Sequence, residues 1–85
     1  MENWVTYIVE CSDKTFYVGT TNNIDKRVAK HNAGKGAKYT RGRTPVKIRY
    51  TCSFDSRSDA CKYEYKLKQC SRKEKMDIIL GSFKK

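Results

Sequence analysis

The chain has 85 residues, 38% of them hydrophobic, which is enough for one small domain and excludes a second one. We therefore treat residues 1–85 as a single domain. Nineteen Lys and Arg against nine Asp and Glu give a net charge of +10, the sign that attracts phosphate. The charge indicates a polyanionic partner, but alone it does not separate nucleic acid from an acidic membrane surface or an acidic protein.

The four cysteines form no Cys-x-x-Cys pair and match no zinc-binding spacing. We expect reduced thiols, with Cys11 and Cys52 serving as small hydrophobic residues in strands. No apolar run approaches the roughly 18 residues of a membrane span, and we recognise no secretory signal. The composition therefore predicts a soluble, cytoplasmic protein with no membrane partner.

Hydrophobic periodicity, turn residues and helix caps divide the chain into six elements in the order ββαβαα. The segments rich in β-branched and aromatic residues are assigned as strands. The elements are a strand over 4–11, a strand over 15–19, a helix over about 23–33, a strand over 46–54, a helix from Asp55 or Ser56, and a last helix between Ser71 and Gly81. This order predicts a domain of the α/β (α+β) class.

Local signals define the helix ends and the long connection. Asn22 or Asn23 caps the first helix, and Gly34 ends it. Ser71-x-x-Glu74 reads as a capping box that opens the last helix. Residues 35–43 contain glycines and several cations, so we expect a basic surface loop with room for one helical turn.

Two patterns predict which side chains are buried. In the third strand every second residue is apolar, so we expect one uniformly buried face. Its members are Val46, Ile48, Tyr50, Cys52 and Phe54. In the last two helices the spacing of apolar residues predicts inner faces formed by Ala60, Tyr63, Leu67 and Cys70 and by Met76, Ile79 and Leu80.

Polar residues share the inward face of the first helix. Arg27 lies three positions after Ile24, and His31 lies three positions after Val28 and seven after Ile24, the spacings that place side chains on one helix face. A desolvated guanidinium needs compensation, so an anionic group should meet Arg27. Considered alone, an arginine in the position of Arg27 is more often a residue at the edge of the core that is bonded to a carboxylate. A lone histidine is likewise more often structural.

The hairpin changes this interpretation because adjacent strands can bring Tyr7 and Tyr17 together. The second strand ends with Gly19 just before the helix that carries Arg27 and His31. Each tyrosine alone would be a core residue with a bonded hydroxyl. Four such groups in one place indicate a polar site.

The tyrosines lie in Val5-Thr6-Tyr7 and Tyr17-Val18-Gly19. With Arg27-x-x-x-His31, Glu64 on a later helix and the segment 34–43, these motifs resemble the GIY-YIG nucleases, in particular the small stand-alone bacterial branch typified by UPF0213 proteins. The resemblance covers nearly the whole chain. The first motif departs from the family, with Val5 in place of Gly and Thr6 in place of Ile.

The resemblance implies a three-stranded antiparallel sheet flanked by helices. It also implies one divalent ion, Mg²⁺ or Mn²⁺, held by Glu64 together with waters and a substrate phosphate, as Mg²⁺ prefers. The alternative for Glu64 is an i,i+4 salt bridge to Lys68, which stabilises a helix by only about 0.3–0.5 kcal/mol.

The resemblance further implies a role for each polar residue. Tyr7 would position or deprotonate the attacking water, Arg27 would brace the phosphate oxygens, and His31 would relay the proton. Tyr17 would hydrogen-bond the phosphate or the nucleophile. A phenol with a pKa near 10 is a poor base unless nearby cations, from Arg27, His31 or a lysine, lower that pKa. The division of labour among the tyrosines and His31 stays open.

The basic loop supplies the expected contacts to the nucleic-acid backbone. These residues are Lys35, Lys38, Tyr39, Arg41 and Arg43, with Tyr39 either stacking on a base or covering the core. No element offers an evident set of base-reading side chains, so nucleic-acid structure should govern selectivity, unless a protein partner supplies targeting.

The predicted function is a Mg²⁺-dependent endonuclease or exonuclease that acts as a monomer on nucleic acid, with DNA favoured over RNA. One alternative is a nucleic-acid-binding module on the same scaffold without turnover. A third is a structural or protein-interaction domain, which would show no salt-dependent binding to nucleic acid.

Overall fold

The computed structural model describes residues 3–81. Strands β1 (Trp4–Glu10), β2 (Phe16–Thr21) and β3 (Lys47–Phe54) form one antiparallel sheet in the order β2-β1-β3. The helices are α1 (Ile24–Asn32), α2 (Arg57–Lys68) and α3 (Arg72–Leu80). The predicted α/β (α+β) class, the element order ββαβαα and the three-stranded antiparallel sheet are confirmed.

Strand β1 lies in the centre of the sheet and is buried on both faces. Residues 6–9 are each 0% exposed, as expected for a central strand covered from two sides. Tyr7 lies in a core cluster packed by Val28 of α1, whereas Ile8 lies in a second cluster with Leu67 of α2. The sheet therefore separates an α1 side from an α2–α3 side.

Strand β3 changes its buried face halfway along. Ile8 of β1 pairs with Tyr50, but the next residue, Val9, pairs with Ile48, so Arg49 is an extra residue in a β-bulge. Before the bulge the apolar residue Val46 packs on the α1 side, whereas after it Tyr50 and Phe54 pack on the α2–α3 side. The prediction of one uniform face over the strand is wrong because one inserted residue inverts a period-two pattern, and Ile48 is 41% exposed.

The helix ends follow their predicted caps. The Asn23 side chain accepts a hydrogen bond from the Lys26 N–H, and Ser56 caps α2 in the same manner. Ser71 and Glu74 form the predicted capping box at the start of α3. Because these caps depend on neighbouring residues only, they can be predicted without the tertiary structure.

The expectation for the end of α3 is partly wrong. Ile78 and Ile79 pack against the α2–α3 cluster, and Leu80 is 66% exposed. Successive helical residues are rotated by about 100°, so two consecutive inward residues turn the third one outward.

The cysteines resolved in the structure are all free, and Cys11 is buried in the α1-side cluster. Within residues 3–81 no helix has the length and apolar character needed to cross a membrane.

Thr6 ties the central strand to α2, and we predict that its hydroxyl stabilises the fold. The hydroxyl donates a 2.7 Å hydrogen bond to the carbonyl oxygen of Ala60, and both residues are 0% exposed. Thr6→Val is expected to lower the free energy of unfolding by about 1 kcal/mol, measured by urea denaturation. Thr51→Val, on the exposed surface of β3, is the control, and equal losses in the two variants would contradict the prediction.

Candidate active site

Tyr7 and Gly19 lie directly opposite each other in the β1–β2 pairing. A Cβ atom built on Gly19 would overlap the hydroxyl oxygen and ring of Tyr7. The phenol therefore lies across the glycine backbone, where any side chain would displace it. This close approach explains why a tyrosine in the first motif is accompanied by a glycine in the second.

Helix α1 brings two polar groups to the Tyr7 hydroxyl. Nε2 of His31 is 2.9 Å from Tyr7 Oη, and Nε of Arg27 donates to the same oxygen at 3.4 Å. The ring of Tyr17 meets His31 edge-on, with centroids 5.3 Å apart. The four residues that the sequence predicted to converge are thus brought together on the α1 side of the sheet.

Thr40 extends this cluster and defines the direction of its hydrogen bonds. Its hydroxyl donates to the carbonyl oxygen of Ala37 at 3.0 Å, so it accepts the 2.7 Å bond from Nδ1 of His31. With the ring proton on Nδ1, Nε2 accepts the proton of Tyr7, and the Tyr7 oxygen accepts from Arg27. The result is one directed chain from Arg27 through Tyr7 and His31 to Thr40.

Burial sets the protonation states of this chain. It raises the pKa of Tyr7 above its usual value of 10.0, and the hydrogen bond and charge of Arg27 offset only part of the shift. Burial, assisted by the charge of Arg27, lowers the pKa of His31 below 6.5. In the free protein both groups are neutral at neutral pH, so cations do not give Tyr7 the lowered pKa that a phenolate base would need.

Glu64 approaches from the other side of the sheet, at the edge strand β2. Its Oε1 accepts a 2.7 Å hydrogen bond from Thr20, whose side chain faces α2, and its Oε2 lies 2.8 Å from Nζ of Lys68. Burial raises the pKa of this carboxyl. The hydrogen bonds from Lys68 and Thr20 together lower it by a larger amount, so the net pKa is below 4.5. The carboxylate is close enough to Tyr7 for its charge to raise the phenol pKa.

The donor set at Glu64 fits a largely hydrated divalent ion. Within residues 3–81 no three His, Cys, Asp or Glu side chains cluster as a metal site. Mg²⁺ commonly uses one or two carboxylates and completes its shell with waters and substrate phosphate. A carboxylate has about four lone-pair positions, and Thr20 and Lys68 occupy two of them, so Glu64 retains capacity for a ligand bond.

The loop predicted to bind nucleic acid divides into two groups. Tyr39 stacks on Tyr17, with centroids 5.9 Å apart, and the Arg43 guanidinium lies 4.4 Å above the Tyr39 ring. Arg43 also pairs with Asp13 at 3.5 Å, so these two loop residues cover the site. The exposed cations of the same loop are Lys35, Lys38 and Arg41.

Sequence reasoning missed Thr20 and Thr40. Thr40 is fully buried, whereas Thr44, four positions later in the same type of segment, is only partly buried. Nothing in the local sequence separates the two threonines, since the distinction depends on how the loop folds over His31. Thr20 was detectable only as the residue after the second motif. The Lys68 salt bridge, considered as an alternative role for Glu64, is present in the structure.

Comparison with known proteins matches residues 3–77 to the family model described as the GIY-YIG catalytic domain. Similar sequences include a UPF0213 protein of Halobacterium salinarum, 61% identical over 69 residues that cover 81% of this chain and 90% of the relative. Another is a UPF0213 protein of Lactococcus lactis, 48% identical over 80 residues, which cover 93% and 77%.

Two solution NMR structures are also similar. A UPF0213 protein of Bacillus halodurans is 44% identical, with a TM-score of 0.59, covering 91% of this chain and 82% of that one. A protein of E. faecalis is 39% identical, with a TM-score of 0.63, covering 98% and 91%. Both share the fold described above over most of their length.

The buried state of His31 predicts how stability depends on pH. The folded-state pKa of His31 lies below the unfolded value of about 6.5, so the unfolded chain binds the proton more readily. The stability that neutral His31 contributes is therefore present above about pH 6.5 and is lost as the pH falls towards the folded-state pKa. The free energy of unfolding should decrease from about pH 7.5 to about pH 5, measured by denaturant titration.

The control is His31→Gln, which removes the only histidine of the chain. This variant is expected to be less stable but to lose the pH dependence in that interval. The pKa values of Asp13 and Glu64 are lowered from ordinary carboxyl values, so in the folded protein these two groups titrate below the pH interval of the experiment. A wild-type stability that stays constant or rises on acidification would contradict a buried neutral imidazole.

Proposed function

The chain belongs to the GIY-YIG family of catalytic domains, and from that premise we propose that it is a nuclease that hydrolyses phosphodiester bonds in nucleic acid. The proposed substrate is DNA, selected by its structure and not by base sequence, and the proposed cofactor is Mg²⁺ or Mn²⁺. The observation that carries the proposal is the directed hydrogen-bond chain from Arg27 through Tyr7 and His31, with the Glu64 carboxylate near enough for its charge to act on Tyr7.

The proposed first step is the deprotonation of water by a proton shuttle. The water oxygen attacks phosphorus as the bond between phosphorus and the 3′ oxygen breaks, and the released 3′ oxygen takes a proton from solvent. The proton of the attacking water passes to Tyr7 Oη, and the phenolic proton passes at the same time to Nε2 of His31, 2.9 Å away. Tyr7 ends neutral and His31 ends as an imidazolium whose Nδ1–H still bonds Thr40. This route is compatible with the raised pKa of Tyr7, because no phenolate has to form beforehand. Tyr7 is 0% exposed in the free protein, so the step requires that bound substrate draws Arg27 towards the phosphate and admits the attacking water to the hydroxyl.

Positive charge around the cluster would bind and stabilise the negatively charged substrate phosphate. Arg27 uses Nε on Tyr7, and a guanidinium has further donors that we assign to the non-bridging phosphate oxygens. Burial and Arg27 both disfavour the imidazolium form of His31 in the free protein, and the negative phosphate counteracts that penalty when substrate is bound. Tyr17, packed against His31, is assigned a hydrogen bond to the same phosphate.

Glu64 is the residue that would hold the divalent ion, together with waters and a phosphate oxygen. When bound, the ion supplies positive charge for the leaving 3′ oxygen. Lys68 occupies one oxygen of Glu64 in the free protein, so its ammonium must give up or share that oxygen. We assign the exposed loop cations Lys35, Lys38 and Arg41 to backbone phosphates on either side.

The departure in the first motif falls outside the hydrogen-bonded chain. Val5 packs against the α1-side cluster, and the hydroxyl of Thr6 bonds to Ala60 on the other side of the sheet. Tyr7, the residue that the motif contributes to the proposed chemistry, is unchanged. This arrangement supports an active enzyme.

The alternative is a nucleic-acid-binding module without turnover. The observation in its favour is the 2.8 Å ion pair with Lys68, which occupies the proposed metal-binding carboxylate. Binding without any cleavage product across Mg²⁺ and Mn²⁺ would favour this alternative. The absence of any salt-dependent binding would instead favour a structural or protein-interaction domain.

We predict that Glu64→Gln and Arg27→Ala each abolish cleavage while the protein stays folded and still binds nucleic acid. The first change removes the carboxylate charge but retains an oxygen for the Thr20 hydroxyl, and the second removes the guanidinium donors. The assay incubates each protein with labelled single-stranded, duplex, flapped and branched DNA in Mg²⁺, Mn²⁺ or chelator. Circular dichroism verifies folding.

Asp59→Asn on the exposed start of α2 is the control for charge removal from the same helix, and it should cleave like the wild type. Cleavage that survives both Glu64→Gln and Arg27→Ala in a clean preparation would refute the proposed mechanism. An equal loss in Asp59→Asn would show that the effect comes from a general change in charge.

We also predict that Thr40 acts as a positioning residue for His31. Thr40→Val removes the acceptor that keeps the ring proton on Nδ1, so cleavage should slow by about 100-fold, the low end for proton transfer by a positioned side chain. Thr40→Ser keeps a hydroxyl and should restore most of the rate.

The pH–rate profile distinguishes positioning from a structural role. In the wild type the rate should fall only when the pH drops below the lowered pKa of His31, and Thr40→Val should shift that limb. A uniform loss of rate with an unchanged profile in both Thr40 variants would contradict the assigned role.

A further inference from the structure

Two depressions lie along strand β2, on either side of the candidate active site. One, with a volume of about 250 Å³, lies at the Thr21 end, where Arg27 also contributes to its wall. The other, at the Phe16 end, consists of two hollows of about 230 and 280 Å³ that share Phe16, Tyr39 and Lys75. We call the second one the Phe16 hollow.

The charge of both depressions has one sign. The first is lined by Lys26, Arg27 and Lys30. The Phe16 hollow has Lys68, Arg72 and Lys75. No acidic side chain from the part of the chain that the structure describes lines either of them. The charge fits a polyanion that continues past the active site in both directions.

The Phe16 hollow has an aromatic and cationic lining. Phe16, Val18 and Tyr39 give it an apolar lining, and the guanidinium of Arg72 lies 4.6 Å above the Phe16 ring. Aromatic rings and guanidinium planes are the surfaces on which unpaired bases stack. The Phe16 hollow therefore combines places for a base and for its phosphate.

The dimensions favour a single strand over a duplex. A hollow of 230–280 Å³ accommodates a base or a nucleotide, whereas a duplex keeps its bases stacked inside and presents only grooves and backbone. Strand β2 has six residues, which at about 3.3 Å per residue separate its ends by roughly 17 Å. A short run of nucleotides covers that span.

We infer that the Phe16 hollow binds an unpaired strand of the substrate, and that the strand continues along β2, past the active site, to Lys26 and Lys30. The inference rests on the proposed function in taking nucleic acid as the ligand, and it narrows the substrate to molecules with a single-stranded segment. Binding at this surface does not require turnover, so it can be tested without cleavage.

The experiment measures binding in chelator, by fluorescence anisotropy, of a labelled oligothymidine of about 10 nucleotides and of a blunt duplex of equal length. Each phosphate contact to a single strand contributes about 0.7 to the slope of log K against log salt concentration. Lys75→Gln and Lys30→Gln, one at each depression, should each reduce the steepness of that slope by about 0.7 for the single strand. The duplex should bind more weakly.

Lys62→Gln is the matched control, because Lys62 is exposed on α2 and lines neither depression. It should leave the slope unchanged. Equal slopes for Lys75→Gln and Lys62→Gln, or a duplex that binds as tightly as the single strand, would overturn the inference. Because the assay contains no divalent ion, a lack of cleavage in separate assays would refute the proposed nuclease activity and leave this result unaffected.

Discussion

The hydroxyl of Tyr7 is fully buried, and a buried polar group must find its hydrogen bonds inside the protein. Much of the surrounding architecture meets that requirement. Gly19 leaves room for the ring to cross β2. Helix α1 supplies a donor, Arg27, and an acceptor, His31. The basic loop folds over the cluster so that Thr40 orients the ring of His31. One phenol thus links two strands, a helix and a loop.

The position of β2 at the edge of the sheet determines how the two sides of the sheet cooperate. Tyr7 and Glu64 belong to opposite faces, and a wide sheet would keep them apart. Because β2 is the last strand, the side chain of Thr20 reaches Glu64 on the α2 side while the phenol of Tyr7 crosses Gly19 from the α1 side. A three-stranded sheet is narrow enough for both groups to approach the same margin.

The sequence predicted the features that depend on near neighbours. The caps at Asn23, Ser56 and Ser71 each use residues within three positions, and the sheet class follows from alternation and family resemblance. The bulge at Arg49 was not predictable, because it depends on pairing with β1 and leaves no local signal. The convergence of the polar residues was predicted. The direction of their hydrogen bonds through Thr40 was not, because it too depends on a contact between distant parts of the chain.

The bulge in β3 also affects how this surface meets other molecules. β3 forms the sheet edge opposite β2, and a regular edge strand offers unpaired backbone groups to any other extended chain. The extra residue Arg49 interrupts that row, and its side chain is bonded to Glu10, while Lys47 adds an exposed charge on the same strand. A second molecule would have to match an irregular, positively charged edge, so the β3 edge is poorly suited to edge-to-edge aggregation.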